Sequence, residues 1–258
     1  MTSLKPLDKK NAIITGASCG IGRGIAKELA SRGANVLITF STSAILAQDL
    51  AQELEEIYGV STIVIQAQAN DPGAPAAIVK AAVEKWGCID IIVNNAAIRE
   101  DYDFMDMTPE VWQLQLMANL QFPVFLVKEA VPSFGKAPRI VNLSSSYSQD
   151  GHAGCLAYVA AKGAMEAVTR SLSREIGQKY NAIVNCVRPG PVNTELWKRS
   201  ITEPEVLARW NPLIQNTPAA PRVAEVEDIA QVVGFLVSED TKWVTGSVIN
   251  ASGGLMFQ

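Results

Sequence analysis

The sequence predicts an α/β protein built on a doubly wound parallel sheet. Short, nearly continuous apolar runs alternate with longer helical patterns along the whole chain, as expected of parallel strands covered on both faces. A glycine-rich turn, "TGASCGIG" at 15–22, follows the first run and opens into a helix. The composition agrees: 258 residues, 48% hydrophobic and 19% charged, can bury a sizeable core and argue against global disorder.

Taken in order, the first strand is expected at Asn11–Thr15, and the helix after Gly20 is stopped by Gly33, which suits a C-cap. Strands follow at Asn35–Phe40 and Thr62–Ala67. Asp71-Pro72 has the pattern of an N-cap with Pro in the first turn, as does Thr108-Pro109-Glu110. Between these two helix starts lies a strand at Ile89–Asn94. The remaining strands are expected at Arg139–Ser144, Ala182–Val187 and Ser247–Asn250. With no linker and no solenoid repeat, residues 1–258 read as one domain. The irregular stretch is 189–222, which holds Pro189, Pro191, Pro204, Pro212, Pro218 and Pro221. A long insertion between the last two strands is more often functional than decorative.

Several function classes are excluded by composition. Net charge is −4 and Lys and Arg form no run, so no nucleic-acid partner is expected. No apolar run reaches the length of a membrane span, and the N-terminus does not have the form of a signal peptide; a cytoplasmic protein is expected. Cys19, Cys88, Cys155 and Cys186 are scattered, which fits a reducing compartment better than disulfides or zinc. A single histidine, His152, rules out most His-based metal sites and leaves few routes to a Ser-His triad, so no metal is expected.

Two motifs carry chemistry. Gly16, Gly20 and Gly22 sit between strand and helix, where a pyrophosphate can approach the backbone and meet free N–H groups at a helix start. The plainer reading is a tight βα turn. In "LAYVAAKGA" at 156–164, Tyr158 and Lys162 lie four apart, on one helical face. The plainer reading there is a partly exposed tyrosine beside a solvated lysine.

Together, "TGASCGIG" (15–22), "NNAA" (94–97), Asn119, "NLSSS" (142–146), "YVAAK" (158–162) and "RPGPVNT" (188–194) resemble the short-chain dehydrogenase/reductase family over essentially the whole chain. The resemblance implies seven parallel strands in the order 3-2-1-4-5-6-7 and a Ser-Tyr-Lys-Asn active site. Tyr158 matches the acid–base catalyst. A free phenol has a pKa of about 10, and tuning it to neutrality needs about 4 kcal/mol, which the charge of Lys162 is expected to supply. Lys162 is also implied to bond the nicotinamide ribose. Ser145 matches the serine that polarises the substrate carbonyl, with Ser144 and Ser146 one register away. Asn119 matches an asparagine that continues a proton relay through water and Lys162. For the cofactor, the resemblance implies Gly16, Ser18, Gly20, Ile21 and Gly22 in the turn, Asn95 after the fourth strand, and Val192 and Thr194 at the carboxamide. Gln68 stands where many members carry an Asp near the adenine. Ala97 replaces a usual glycine, and Cys19 a residue often basic in NADPH users.

The expected cofactor is NADP(H), with NAD(H) as the alternative. NAD users place a carboxylate at the end of the second strand. Here that position is Phe40, followed by Ser41, Thr42 and Ser43, three hydroxyls able to bind a 2′-phosphate; only Arg23 is a nearby cation in sequence. The expected reaction interconverts a small-molecule ketone and a secondary alcohol, the rival being a non-redox cofactor-bound scaffold or sensor. The apolar, Trp-rich insertion, and a similarity to fungal reductases of aromatic polyketides, point to a bulky, neutral aromatic ketone of secondary metabolism. Tyr147, Tyr102, Trp197 and Trp210 form either a substrate wall or core and lid packing. His152 and Cys155 either line the site or are a surface loop and a buried thiol. Ala161, Ala164 and Val168 lie on one side of the Tyr158 helix, a face that the resemblance implies is buried in a two-fold helical interface, so a homo-oligomer is expected, a tetramer or alternatively a dimer.

Overall fold

The structure is a computed structural model that describes residues 5–202 and 204–257. Its strands are β1 (Asn11–Ile14), β2 (Asn35–Phe40), β3 (Thr62–Gln66), β4 (Ile89–Asn94), β5 (Phe134–Leu143), β6 (Ile183–Pro189) and β7 (Val248–Ala251). They pair in parallel as one sheet in the order β3-β2-β1-β4-β5-β6-β7. The helices are α1 (Gly20–Ser31), α2 (Ala44–Tyr58), α3 (Ala74–Trp86), α4 (Pro109–Leu116), α5 (Phe122–Ala130), α6 (Tyr147–Asp150), α7 (Leu156–Tyr180), α8 (Glu195–Ser200), α9 (Pro204–Gln215) and α10 (Val226–Leu236). One π-helical turn, Met117–Gln121, joins α4 to α5.

Alternation along each strand sends successive side chains to opposite faces. Ile14, Ile38 and Val93 therefore pack with Ile25 of α1, Leu50 of α2 and Val233 of α10. Ile13, Leu37 and Ile92 pack on the other face with Ile78 of α3 and Leu126 of α5. Strand order reverses between β1 and β4, and the carboxyl ends of those strands are where such sheets leave a crevice.

The larger differences from expectation have local reasons. β5 begins at Phe134, which pairs with Ile89 before an irregularity in register, so its first residues form a ragged lead-in that Gly135 and Pro138 hide in the sequence. β6 runs on through Arg188 and Pro189, which pair with Asn250 and Ala251. Asp71 does not cap α3 directly: its carboxylate accepts from the Gly73 N–H (2.8 Å), and the helix starts at Ala74 with Pro75 in its first turn. Ala161 is buried within the fold rather than offered to a partner, while Ala164 and Val168 are half-buried. Thr108 caps α4 as expected, accepting from Val111 N–H. Among the described residues no helix is long and apolar enough to cross a membrane, and no His/Cys/Asp/Glu cluster could hold a metal.

Candidate active site

The turn after β1 and the loop after β4 are laced together. The Thr15 hydroxyl accepts from the main-chain N–H of Asn95 (3.0 Å) and Ala96 (2.9 Å). The Asn95 amide donates back to the carbonyls of Thr15 (2.9 Å) and Gly16 (3.1 Å). Gly16 has φ +63°, and a Cβ there would stand 2.9 Å from the Ala96 Cα. A Cβ on Gly22 would lie 2.5 Å from the Asn95 amide nitrogen, so Gly22 is required for this packing although it does not line the cleft itself. Helix α1 begins here with no side-chain cap bond and no carboxylate in its first turn, leaving its N–H groups for an anion.

An open cleft runs over this turn. Gly16, Ser18, Gly20, Ile21 and Asn95 line its middle, Ser41, Thr42, Ser43 and Gln68 one end, and Tyr158, Lys162 and Thr194 the other. The glycine cradle, the uncapped helix start and the polar ends fit a nicotinamide dinucleotide. Val192 lies in the adjoining chamber instead, beside Thr194.

That chamber, about 130 Å³, meets the cleft at Ile21, Tyr158 and Thr194. Strand β5 delivers three serines to it, and their surroundings tell them apart. Ser144 is buried and donates to Glu166 (2.7 Å), and Ser146 is buried too. Ser145 is the half-exposed one, and its hydroxyl faces that of Tyr158, working to lower the phenol's pKa. Tyr158 and Lys162 rise from the first two turns of α7. The Lys162 ammonium lies 5.6 Å from the Tyr158 ring centroid and donates to the Leu143 carbonyl (2.7 Å). Burial dominates both groups: it pushes the Tyr158 phenol up to about 12, against the Ser145 hydroxyl and the charge of Arg99, and Lys162 down to about 8. The expected lowering of the phenol by Lys162 is thus not what this geometry gives, because the ammonium sits beside the ring and is bound to a carbonyl. Asn119 sits in the π-helical turn, where its amide is committed to both main-chain groups of Ile98: it accepts from the N–H (3.0 Å) and donates to the carbonyl (2.7 Å).

The wall is aromatic. Tyr147, Trp197 and Trp210 line the chamber, with Trp197 and Trp210 edge to face at 5.1 Å. His152 stacks on Tyr147 at 4.2 Å and does not line the chamber; burial, then Arg209 and Arg99, lower its pKa. Cys155 is a buried thiol, pushed up to about 11 by burial. Tyr102 lies outside, bonded to Glu100. Four residues were given no role by the sequence reading. Thr15 could have been found as the strand-end hydroxyl beside the glycine turn. Glu166 and Arg99 had no such signal, and Arg188, although it opens "RPGPVNT", gave no sign of its buried pairing with Glu166. Arg23, the one nearby cation in the sequence, ion-pairs with Glu53 at 2.8 Å.

A family profile described as "Enoyl-(Acyl carrier protein) reductase" matches residues 16–256. The chain is 48% identical over 248 residues to "Short-chain dehydrogenase/reductase FrzI" of Cladobotryum sp., covering 96% of each. It is 33% identical over 248 residues to "3-oxoacyl-[acyl-carrier-protein] reductase FabG" of Staphylococcus aureus, covering 95% of this chain and 98% of that one. Among solved structures it resembles the angucycline C-6 ketoreductase LanV with bound NADP, at TM-score 0.87 and 32% identity, covering 97% and 96% of the two chains. With the ordered motifs and the strand order, these similarities make the chain a member of the short-chain dehydrogenase/reductase family.

Proposed function

We propose that the protein is an NADP(H)-dependent ketoreductase that reduces a bulky aromatic ketone to a secondary alcohol. One observation carries this: the paired hydroxyls of Ser145 and Tyr158 stand where an aromatic chamber opens onto the dinucleotide cleft. A bound cofactor supplies hydride to the carbonyl carbon. Ser145 holds the carbonyl oxygen, and the Tyr158 hydroxyl donates its proton to that oxygen as charge develops there. Lys162 fixes a cation beside Tyr158 and faces the cleft, where a ribose hydroxyl can meet it. Asn119 holds the loop after β4 in place, and its main chain is the part left for a water-borne relay to Lys162. Segment 190–222 contributes α8 and α9 as the substrate loop, its Trp197 and Trp210 closing the chamber. Consumption of NADPH across a library of carbonyl compounds tests the assignment, and an enzyme that turns over only thioester-linked or aliphatic substrates would contradict it.

The preference for NADP(H) draws on LanV having been solved with NADP, and on the end of β2. Ser41, Thr42 and Ser43 line the cleft there, with no carboxylate among them, and the first turn of α2 carries none either. With Arg23 engaged by Glu53, a 2′-phosphate is left to the hydroxyls and the start of α2, so the preference is modest. Phe40 is packed in the core, so the discriminating carboxylate belongs at Ser41. Ser41→Asp should shift kcat/KM about tenfold towards NADH by repelling the phosphate; a wild type that already prefers NADH overturns the assignment.

The pH profile follows from the two shifted groups. Tyr158, pushed up to about 12, stays protonated through neutrality, as a proton donor must. Lys162, lowered to about 8, loses its charge as pH rises through that value. Reduction should therefore hold a plateau near pH 6–7 and fall about tenfold by pH 9. A plateau extending beyond pH 10 would show that the lysine charge is not needed.

We also propose a homo-oligomer, a tetramer. Trp243 is 96% exposed and Phe235 on α10 is exposed as well. Large exposed aromatics are often covered by a partner. The free thiols, Cys19 among them exposed, suit the reducing cytoplasm.

A further inference from the structure

Arg99 is the one charged residue lining the substrate chamber among the described residues. It follows Ile98, whose main chain Asn119 clamps on both sides, so it issues from a fixed point. Its side chain is 14% exposed, and its guanidinium carbon lies 5.1 Å from the centroid of the Tyr147 ring. Its charge reaches the reacting groups, opposing the burial that raises the pKa of Tyr158.

A guanidinium brought into an aromatic pocket is costly unless it is bonded there. Asp101 answers it in part. Its carboxylate accepts from Nε (2.9 Å) and from Nη2 (2.5 Å), using two of five N–H donors. Asp101 itself is 52% exposed at the rim and does not line the chamber. Water screens its charge there, while Arg99, with three N–H donors beyond those given to Asp101, lines the chamber against the Tyr147 ring. Ser145 and Tyr158 are already committed to the reacting carbonyl, so Arg99 addresses a different group on the substrate.

We propose that Arg99 is the specificity-determining residue of the chamber and selects aromatic ketones that carry a second, anionic oxygen: a carboxylate or an ionised ring hydroxyl. A planar fork suits such an oxygen, and a charge-assisted bond is stronger than one to a neutral acceptor. This rests on the aromatic-ketone assignment above and revises the neutral substrate expected from the insertion, because the cation enters from the loop after β4.

The test compares a bicyclic aryl ketone bearing a carboxylate with its methyl ester, both with NADPH. The wild type should favour the acid about tenfold or more in kcat/KM, with the difference in KM. Arg99→Met should bring the acid-to-ester ratio close to one. Asp101→Asn, which removes the competing anion, should raise it, a gain that misfolding cannot imitate. Binding of the same pair to the NADP-loaded protein, followed through tryptophan fluorescence, should show the same ratios without turnover. An unchanged ratio in a folded Arg99→Met, or an unchanged or lowered ratio in Asp101→Asn, overturns the role of Arg99. Wild-type preference for the ester overturns it as well and leaves the ketoreductase assignment standing. If the wild type turns over neither ketone, the aromatic-ketone assignment fails and takes this inference with it.

Discussion

Tyr158→Phe is expected to lower ketone reduction about 10³-fold while leaving the cleft able to bind cofactor. The substitution removes one hydroxyl and keeps the ring, so the packing of Tyr158 against Lys162 and the chamber persists. What goes is the proton donor. The other groups lining the chamber are poor replacements: Ser145 is an intrinsically far weaker acid, Arg99 does not release a proton in a protein, and the Tyr147 phenol is stacked on His152 and pushed up by burial. A loss of 10³ corresponds to about 4 kcal/mol of transition-state stabilisation, within the range for general acid catalysis. Lys162→Ala should behave differently, harming cofactor affinity and turnover together, because that side chain faces the cleft as well as the tyrosine. Turnover and cofactor titration of both variants check this. If Tyr158→Phe keeps more than about a tenth of the rate with chemistry limiting, the acid has been assigned wrongly.

How much of this was legible depended on whether neighbours in sequence are also neighbours in space. Asn35–Phe40 and Ile89–Asn94 were readable to the residue, because a strand covered on both faces has to be an apolar run. Arg188 and Pro189 look like the end of a strand, yet β6 runs through them, since Glu166 neutralises the arginine and β7 is there to pair with it. Tyr158 and Lys162 were readable because one helix sets their spacing. Ser145 could be placed only to within one residue; in the structure it is the half-exposed serine of the three, Ser144 and Ser146 being buried and Ser144 bonded to Glu166. Arg99 was not readable at all. Its meaning comes from the meeting of the β4 loop with α6 and α9, segments far apart in the chain, and no periodicity or motif reports such a meeting. The same holds for His152, which lies near Tyr158 in sequence but backs Tyr147 rather than facing the substrate.

Glu166→Ala should destabilise the protein by about 3–5 kcal/mol, the usual cost of stripping one partner from a buried ion pair. Glu166 on α7 and Arg188 on β6 are both buried and joined twice, Nε to Oε1 at 2.9 Å and Nη2 to Oε2 at 2.7 Å. Burial works to raise the carboxyl's pKa, but hydrogen bonds from Arg188, Ser148 and Ser144 outweigh it and hold the group below its ordinary range. Because the folded pKa is depressed, this stabilisation is complete above the ordinary glutamate range and is lost only as pH falls through the folded value. The alanine variant should therefore melt roughly 10 °C lower at neutral pH, and its deficit should shrink in acid. Replacing both partners by methionine should cost much less than the sum of the single changes, since no buried charge is then left alone. The effect is not confined to stability. The same carboxylate accepts from Ser144 (2.7 Å) and Ser148 (2.6 Å), which bracket Ser145, and Arg188 donates to Gln149 (2.6 Å) in α6. Ser145, the serine proposed to hold the carbonyl, is thus steadied from behind by a charge network. At a temperature where both proteins are folded, the double methionine variant should lose more in kcat than in KM, because Ser145 bears on the developing oxyanion more than on the bound ketone. A double variant with unaltered kcat would confine the pair to holding the fold, and a single Glu166→Ala that melts within about 2 °C of the wild type would deny it even that.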